Sequence, residues 1–226
     1  MITGAAGNLG TAAAKVFSSQ GDTLALFDSD GARLEAVHGA DSARQMLVAV
    51  DLLNKLAVES AVAEIVRRFG GIDVLCNIAG GFAMGPAVHE IDDEHWAGMF
   101  RINASTVIAT ARAVVPRMLA AGGGKIINVS AGSAMSGKAN MGAYCSAKAA
   151  VLRLTESMAS ELREKGINVN CVLPSVIDTP QNRAAMPKAD PKRWVAPEAL
   201  ADVIAFLASD AARAIHGAGL PVSGLS

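Results

Sequence analysis

Aromatic side chains are scarce in this 226-residue sequence: they make up 4% of it and include a single tyrosine, although hydrophobic residues reach 51%. The apolar content is therefore mostly Ala, Val, Leu and Ile, as expected where helices pack closely on a sheet buried on both faces. Cysteine is also sparse, with only Cys76, Cys145 and Cys171. An odd number with no metal-ligand spacing argues against a disulfide framework and fits reduced thiols in a cytoplasmic protein. The histidines His38, His89, His95 and His216 are scattered and pair with no cysteine or acid at ligand spacing, so no metal site is expected. A net charge of -1 gives no electrostatic reason to expect nucleic acid or an anionic membrane as partner. No apolar run is long enough to span a bilayer, and no basic-then-apolar leader opens the sequence, so a cytoplasmic location is expected.

The length suits one α/β domain over 1–226, large enough to bury a substantial core. No internal repeat, low-complexity segment or linker divides it. Short β-type runs at 23–28 (TLALFD), 46–50 (MLVAV), 73–76 (DVLC), 125–129 (KIINV) and 168–173 (NVNCVL) read as buried strands. Segments 10–20, 53–69, 94–120, 143–165 and 197–208 carry apolar residues at three- and four-residue spacing and read as helices. This alternation predicts a Rossmann-type doubly wound parallel sheet with helices on both faces. Such sheets bind ligands beyond the carboxyl ends of their strands.

The opening departs from that plan. Only Met1, Ile2 and Thr3 precede Gly4, whereas a typical strand has about five or six residues. A first strand so shortened is expected to leave a gap beside its two neighbours and to expose their backbone groups. A start placed too late, or a shortened chain, is the expectation.

Thr3-Gly4-Ala5-Ala6-Gly7-Asn8-Leu9-Gly10 runs straight into a helical pattern. Glycine suits a tight turn whose backbone must approach a pyrophosphate at a helix N-terminus; any strand-to-helix turn favours it too. Asp28 ends the next strand, 18 residues after Gly10. A carboxylate there can accept both hydroxyls of an adenine ribose and repel a 2′-phosphate, which predicts NAD(H) over NADP(H). Asp28 or Asp30 can equally cap the following helix. Arg33 is the nearby cation that could favour NADP, and it reads as a solvated helix residue.

In Tyr144-Cys145-Ser146-Ala147-Lys148 the tyrosine and lysine stand four apart on one helical face. The Lys148 ammonium is expected to lower the Tyr144 pKa and make the phenol a usable proton donor or acceptor. A surface helix pair has the same spacing. Ser146 lacks a G-x-S-x-G elbow, which argues against a hydrolase.

With these pieces in order, the chain resembles the classical short-chain dehydrogenase/reductase family over essentially its whole length. The TGxxGxxG turn looks like the family's cofactor loop, in a spacing more typical of its extended members, and implies roles for Gly4, Gly7, Asn8, Leu9 and Gly10. Asp51 and Leu52 follow the third strand, where the family places an Asp near the adenine. Asn77-Ile78-Ala79-Gly80 looks like the family's N-N-A-G element, which implicates Asn77, Ala79 and Gly80. Asn103 matches the helix asparagine that helps hold a water beside the lysine. The run from Pro174 to Thr179 matches P-G-x-x-x-T, in which Thr179 and the backbone of Ile177 would hold the nicotinamide carboxamide. The resemblance implies that Tyr144 exchanges a proton with an alcohol or carbonyl substrate. Lys148 would bind the nicotinamide ribose, and the nicotinamide ring would exchange the hydride.

Three positions depart from the family pattern. Its catalytic serine, 13 residues before the tyrosine, is here Ala131, flanked by Ser130 and Ser133. Either serine, or a water, could replace it. Ser175 stands where glycine is usual, and the ending Leu220-Pro221-Val222-Ser223-Gly224-Leu225-Ser226 replaces the common V-D-G-G. An alanine at the serine position also resembles the NADH-dependent dihydropteridine reductases, as does the double glycine of Gly80-Gly81; the other branch in view is the 3-oxoacyl-thioester reductases.

Residues 180–195 occupy the family's substrate-loop position and contain Gln181, Asn182, Met186, Lys188, Lys192, Arg193 and Trp194. They read as a short lid over an open site or as a surface loop. The helices around Asn103 and Tyr144 are rich in alanine, which permits close approach. By resemblance they pair subunits in a homodimer or homotetramer; packing on the chain's own sheet uses the same residues. Against the oxidoreductase reading stands a non-catalytic dinucleotide-binding or scaffold subunit, suggested by Ala131 and the shortened first strand.

Overall fold

The computed structural model describes residues 1–225, so Ser226 of the ending singled out above lies outside it. Seven strands are seen among the described residues: β1 (Ile2–Thr3), β2 (Leu24–Asp28), β3 (Gln45–Ala49), β4 (Val74–Asn77), β5 (Gly124–Val129), β6 (Ile167–Pro174) and β7 (Gly219–Val222). They form one parallel sheet in the order β3-β2-β1-β4-β5-β6-β7. The order reverses between β1 and β4, and the crevice at that reversal is where such sheets receive a ligand.

The long helices are α1 (Asn8–Ser19), α3 (Lys55–Phe69), α5 (Thr106–Ala121), α6 (Gly142–Leu162) and α8 (Pro197–Ala208). Alternation along the strands assigns them to two layers. Leu24 and Leu26 of β2 and Ile127 and Val129 of β5 pack with Leu9, Ala13 and Phe17 of α1 and Leu200 and Ile204 of α8. Their neighbours Ala25, Phe27 and Ile126 face the opposite side, against Val58, Val62 and Ile65 of α3, Val114 and Met118 of α5 and Leu162 of α6. Each such large side chain, fully buried, is worth about 1.5–3 kcal/mol. Asn54 caps α3 by accepting from the amide of Ala57, and Gly70 ends it at φ 86°, a left-handed conformation that favours glycine.

Four elements differ from the sequence expectation. The segment read as one helix over 94–120 is α4 (Asp93–Phe100), a π turn at Arg101–Ser105, and α5. The Asn103 side chain bonds back to Met99 O, which locally rewinds the helix. The short helix α2 (Gly31–His38) is started by Asp30, whose carboxylate accepts from the amide of Arg33. The 180–195 segment contains α7 (Pro180–Ala185) and a 3₁₀ turn at Pro191–Arg193, with Trp194 buried behind them. Strand β7 contains Pro221, which obscures it in sequence; it is an edge strand paired only to β6, where a missing N–H is tolerated.

β1 is two residues long, as the sequence implies, yet it pairs with both β2 and β4. The buried Met1 ammonium donates to Val74 O at 2.8 Å, and Cys76 N donates to Met1 O at 2.9 Å. Part of the expected backbone exposure is thereby met. A half-open pocket of about 290 Å³ adjoins Met1 and Ile2, lined also by Phe17, Leu24, Ile65, Phe69 and Ile72. No helix among the described residues is long and apolar enough to cross a membrane.

Candidate active site

The glycine turn links β1 to α1. Gly4 has φ 65°, and a Cβ placed on it would lie 2.9 Å from the backbone of Ala79. A Cβ on Gly10 would come within 2.1 Å of Gly4 O. Glycine at both positions therefore lets the turn fold onto the helix start and onto the loop beyond β4. Thr3, which the sequence did not single out by role, fixes this contact. Its hydroxyl oxygen accepts from the amides of Ile78 and Ala79, both at 3.1 Å. No side chain caps α1 at Gly7, so the first amides of the helix, at Asn8, Leu9 and Gly10, receive no capping side chain.

Asp28 ends β2 beside this turn. Its carboxylate accepts from the amide of Ala6 at 2.9 Å and from that of Asp30 at 3.2 Å. The capping of α2 falls to Asp30, which leaves Asp28 half-buried at the crevice. Arg33 is exposed on α2. Asp51 is exposed beyond β3 and accepts from the amide of Leu53, while Leu52 is buried.

At the end of β4 the side chain of Asn77 turns inward. It accepts from the Thr110 hydroxyl at 2.8 Å and donates to Asn128 Oδ1 at 2.9 Å; Asn128 in turn donates to the Thr155 hydroxyl at 2.8 Å. This buried chain ties β4, β5, α5 and α6 together. A satisfied buried network favours one arrangement of its elements, because breaking any link leaves a desolvated polar group. Asn77 thus sets the position of the loop that follows it, through groups the sequence gave no reason to connect.

Gly80 is where the chemistry-bearing groups meet. A Cβ placed on it would lie 2.8 Å from Asn103 Oδ1 and 3.2 Å from Lys148 Nζ. Asn103, on the π turn, accepts from the amide of Gly81 at 3.2 Å and donates to Gly81 O and Met99 O, both at 3.0 Å. The buried Lys148 ammonium donates to Val129 O at 3.0 Å. Its pKa is pushed down to about 8 by burial, against a small opposing effect of Cys171. Replacing Gly80 by alanine is expected to displace Asn103 or Lys148. Such a variant should keep its fold, as judged by circular dichroism, and lose at least about tenfold in turnover, since sub-ångström misplacement of reacting groups is costly.

Tyr144 lies one helical turn before Lys148 on α6. Its ring meets that of Phe82 edge to face at 4.9 Å between centroids. The Lys148 ammonium is 6.0 Å from the Tyr144 centroid. The expected lowering of the phenol pKa is not found in this geometry. Burial, followed by the neighbouring Cys145, pushes it up to about 12. The ammonium is turned away to Val129 O, so it does not offset the burial of the phenol.

The two candidate serines separate. Ser130 is committed to structure: its hydroxyl donates to Lys148 O at 2.6 Å. Ser133 sits in the 3₁₀ turn Gly132–Ala134, which packs on α6, and its Oγ is buried without a hydrogen-bond partner. A buried hydroxyl of that kind is costly unless something else satisfies it. Pro174, the last residue of β6, is buried, and Ile177 beyond it bridges to Val195. Thr179 caps α7 by accepting from Asn182 N at 3.1 Å. Asn8 at the start of α1 donates to Gln181 on α7 at 3.0 Å, a tie across the crevice that sequence spacing could not reveal. Cys76 and Cys171 are free, and burial raises their thiols to about 12 and about 11. Among the described residues no group of three or more His, Cys, Asp or Glu side chains could hold a metal ion.

A glycine turn at the reversal of a parallel sheet, with a tyrosine and a buried lysine one turn apart beyond it, defines an α/β oxidoreductase built on a dinucleotide-type fold. The chain belongs to the short-chain dehydrogenase/reductase family, whose short chain dehydrogenase profile matches residues 1–190. It is 33% identical to D-threitol dehydrogenase of Mycolicibacterium smegmatis, over 99% of this chain and 90% of that protein. It is 35% identical to cis-4-hydroxycyclohexanecarboxylate dehydrogenase of Sinomonas cyclohexanicum, over 99% of this chain and 94% of that one. NAD+-bound xylitol dehydrogenase superposes with a TM-score of 0.89 at 27% identity, covering 99% of this chain and 96% of that chain. The chain is an oxidoreductase acting on CH–OH or C=O groups of small molecules.

Proposed function

We propose that the chain interconverts an alcohol and a carbonyl with NAD(H) as the hydride carrier and Tyr144 as proton donor and acceptor. The observation that carries this reading is the meeting of Asn103 Oδ1 and Lys148 Nζ around Gly80, one helical turn from the phenol. The residues around the crevice fit a dinucleotide. The uncapped amides of Asn8, Leu9 and Gly10, with Gly4 and Gly7, receive the pyrophosphate. Asp28 accepts the adenine-ribose hydroxyls, and Asp51 and Leu52 border the adenine. Ala79 and Gly80 flank the ribose beyond, positioned by Asn77. Pro174, Ile177 and Thr179 hold the carboxamide. When bound, the nicotinamide supplies or takes up a hydride.

The chain's own residues move the proton. In carbonyl reduction the protonated phenol of Tyr144 donates to the developing alkoxide; in alcohol oxidation it takes the hydroxyl proton. Lys148 binds the ribose hydroxyls and Asn103 holds its surroundings in place. Ser133, with its unsatisfied hydroxyl, steadies the substrate oxygen in place of the serine that Ala131 lacks. The chain forms a homodimer or homotetramer through the alanine-rich helices around Asn103 and Tyr144; light scattering on the purified chain tests this.

A thermal-shift titration with NADH and NADPH tests the cofactor assignment. NADH is expected to raise the midpoint and NADPH to do so far less; no shift with either contradicts it and favours a scaffold. The lowered Lys148 pKa adds a pH dependence. The ammonium, present below about 8, is the better donor to ribose hydroxyls and is lost as pH rises through that value. NADH affinity should therefore weaken at least about threefold between about pH 7 and about pH 9, and Lys148→Met should flatten the profile. NADH fluorescence titration reads both.

A further inference from the structure

The surround of Tyr144 is more apolar than an enzyme for polyhydroxylated substrates requires. Phe82, Met84 and Val88 lie on the loop between β4 and α4, and Met135 follows the turn after β5. They are 54%, 60%, 73% and 66% exposed, among the large apolar side chains the fold leaves uncovered. Both loops leave the carboxyl end of the sheet, the end that carries the crevice.

The β4–α4 loop is held against the start of α6, where Tyr144 sits. Gly85 N donates to Asn140 O at 2.8 Å. A Cβ on Gly142 would lie 2.9 Å from Val88 Cγ2. Ala83 and Ile91 pack on Ala143 and Ala147, and the Phe82 ring touches that of Tyr144. The turn before Met135 packs on the same helix and carries Ser133. Of the polar side chains around this rim, Asn103 bonds the backbone on both sides and Ser130 bonds Lys148 O, whereas Ser133 Oγ has no partner and a Cβ placed on Gly85 would lie 2.7 Å from His95 Nε2. Arg183, on the α7 side, is paired with Asp178.

Resting on the oxidoreductase reading above, we infer that the substrate is a secondary alcohol, or the matching ketone, with a hydrocarbon ring or branched chain on the reacting carbon, rather than a polyol. In oxidation the carbinol carbon loses a hydride to the nicotinamide dinucleotide and the hydroxyl loses its proton to Tyr144; the ketone, the reduced dinucleotide and one proton leave. Each methylene that Phe82, Met84, Val88 and Met135 remove from water is worth about fourfold in kcat/KM. Each extra hydroxyl set against them loses water without gaining a partner. The relatives named above include enzymes for threitol and xylitol and one for a hydroxycyclohexane carboxylate, so the chemistry of this rim, and not kinship, makes the choice.

The full chain is assayed with NAD+ against cyclohexanol and 1-phenylethanol, and against glycerol, threitol and sorbitol. The cyclic and aryl alcohols should exceed the polyols at least about a hundredfold in kcat/KM. Met84→Gln and Met135→Gln, which leave the proton-transfer groups untouched, should each raise KM for cyclohexanol about fivefold or more, with kcat and NADH affinity unchanged. Polyols that match or exceed the cyclic alcohols overturn the inference and leave the oxidoreductase reading standing. Turnover of neither class, with NADH still bound, overturns the inference and leaves the family assignment standing. A variant that changes the oligomeric state and not KM assigns the rim to a subunit contact and overturns the inference.

Discussion

Tyr144→Phe is expected to lower turnover by about 10²–10⁴-fold, the range typical of a lost general acid or base, with NADH affinity nearly unchanged. The substitution is mild for the fold. Phenylalanine keeps the ring that meets Phe82 edge to face and loses only the hydroxyl. Lys148 stays on Val129 O, since no bond to the phenol holds it there. What disappears is the hydroxyl that gives and takes the substrate proton. The raised phenol pKa of about 12 suits donation in carbonyl reduction, because the acid stays protonated at neutral pH. Alcohol oxidation needs the phenolate, so wild-type oxidation should speed up with rising pH over a range where reduction does not. Steady-state rates in both directions, with a parallel NADH titration, measure this. Unaltered turnover in the phenylalanine variant would remove Tyr144 from the mechanism.

Asp28→Asn is expected to raise the preference for NADPH relative to NADH by about a hundredfold. The mutation takes away one negative charge where a 2′-phosphate would lie. Unit charges 4–5 Å apart interact by roughly 3–4 kcal/mol at an effective dielectric near 20, and partial solvation reduces this to about two orders of magnitude in affinity. The amide oxygen can still accept from Ala6, so the junction of β2 with the glycine turn is kept. Because Asp30 and not Asp28 caps α2, the helix should be unaffected. Dissociation constants for both nucleotides, wild type against variant, give the ratio. An unchanged ratio would move the ribose role elsewhere.

Much of the fold was legible because its signals are local. Phe27 and Leu26 alternate across β2, Phe17 follows Ala13 at helical spacing in α1, and Tyr144 and Lys148 share a face of α6. The glycine turn was legible too, although the reason for Gly10 is a clash with Gly4 O that only coordinates reveal. The rest depends on contacts between distant segments. Thr3 reaches Ala79, Asn77 reaches Thr155 through Asn128, and Asn8 reaches Gln181; no spacing rule connects these pairs. The π turn at Asn103 was hidden because apolar periodicity continues through it. Four-residue spacing gives Tyr144 and Lys148 a shared face but does not say where the Lys148 ammonium points. Burial, a property of the whole fold, then outweighed the expected charge effect. Ser130 and Ser133 both flank Ala131 in sequence, and in structure they differ by one hydrogen bond.

The most direct test of hydride exchange governed by Tyr144 is deuterium transfer. The purified chain is incubated with NADH carrying two deuterium atoms at C4 of the nicotinamide and with cyclohexanone, and the alcohol is analysed by mass spectrometry. Deuterium at the carbinol carbon with the wild type, and almost none with Tyr144→Phe, is the predicted result. An alcohol without deuterium, or equal labelling by both proteins, would contradict it.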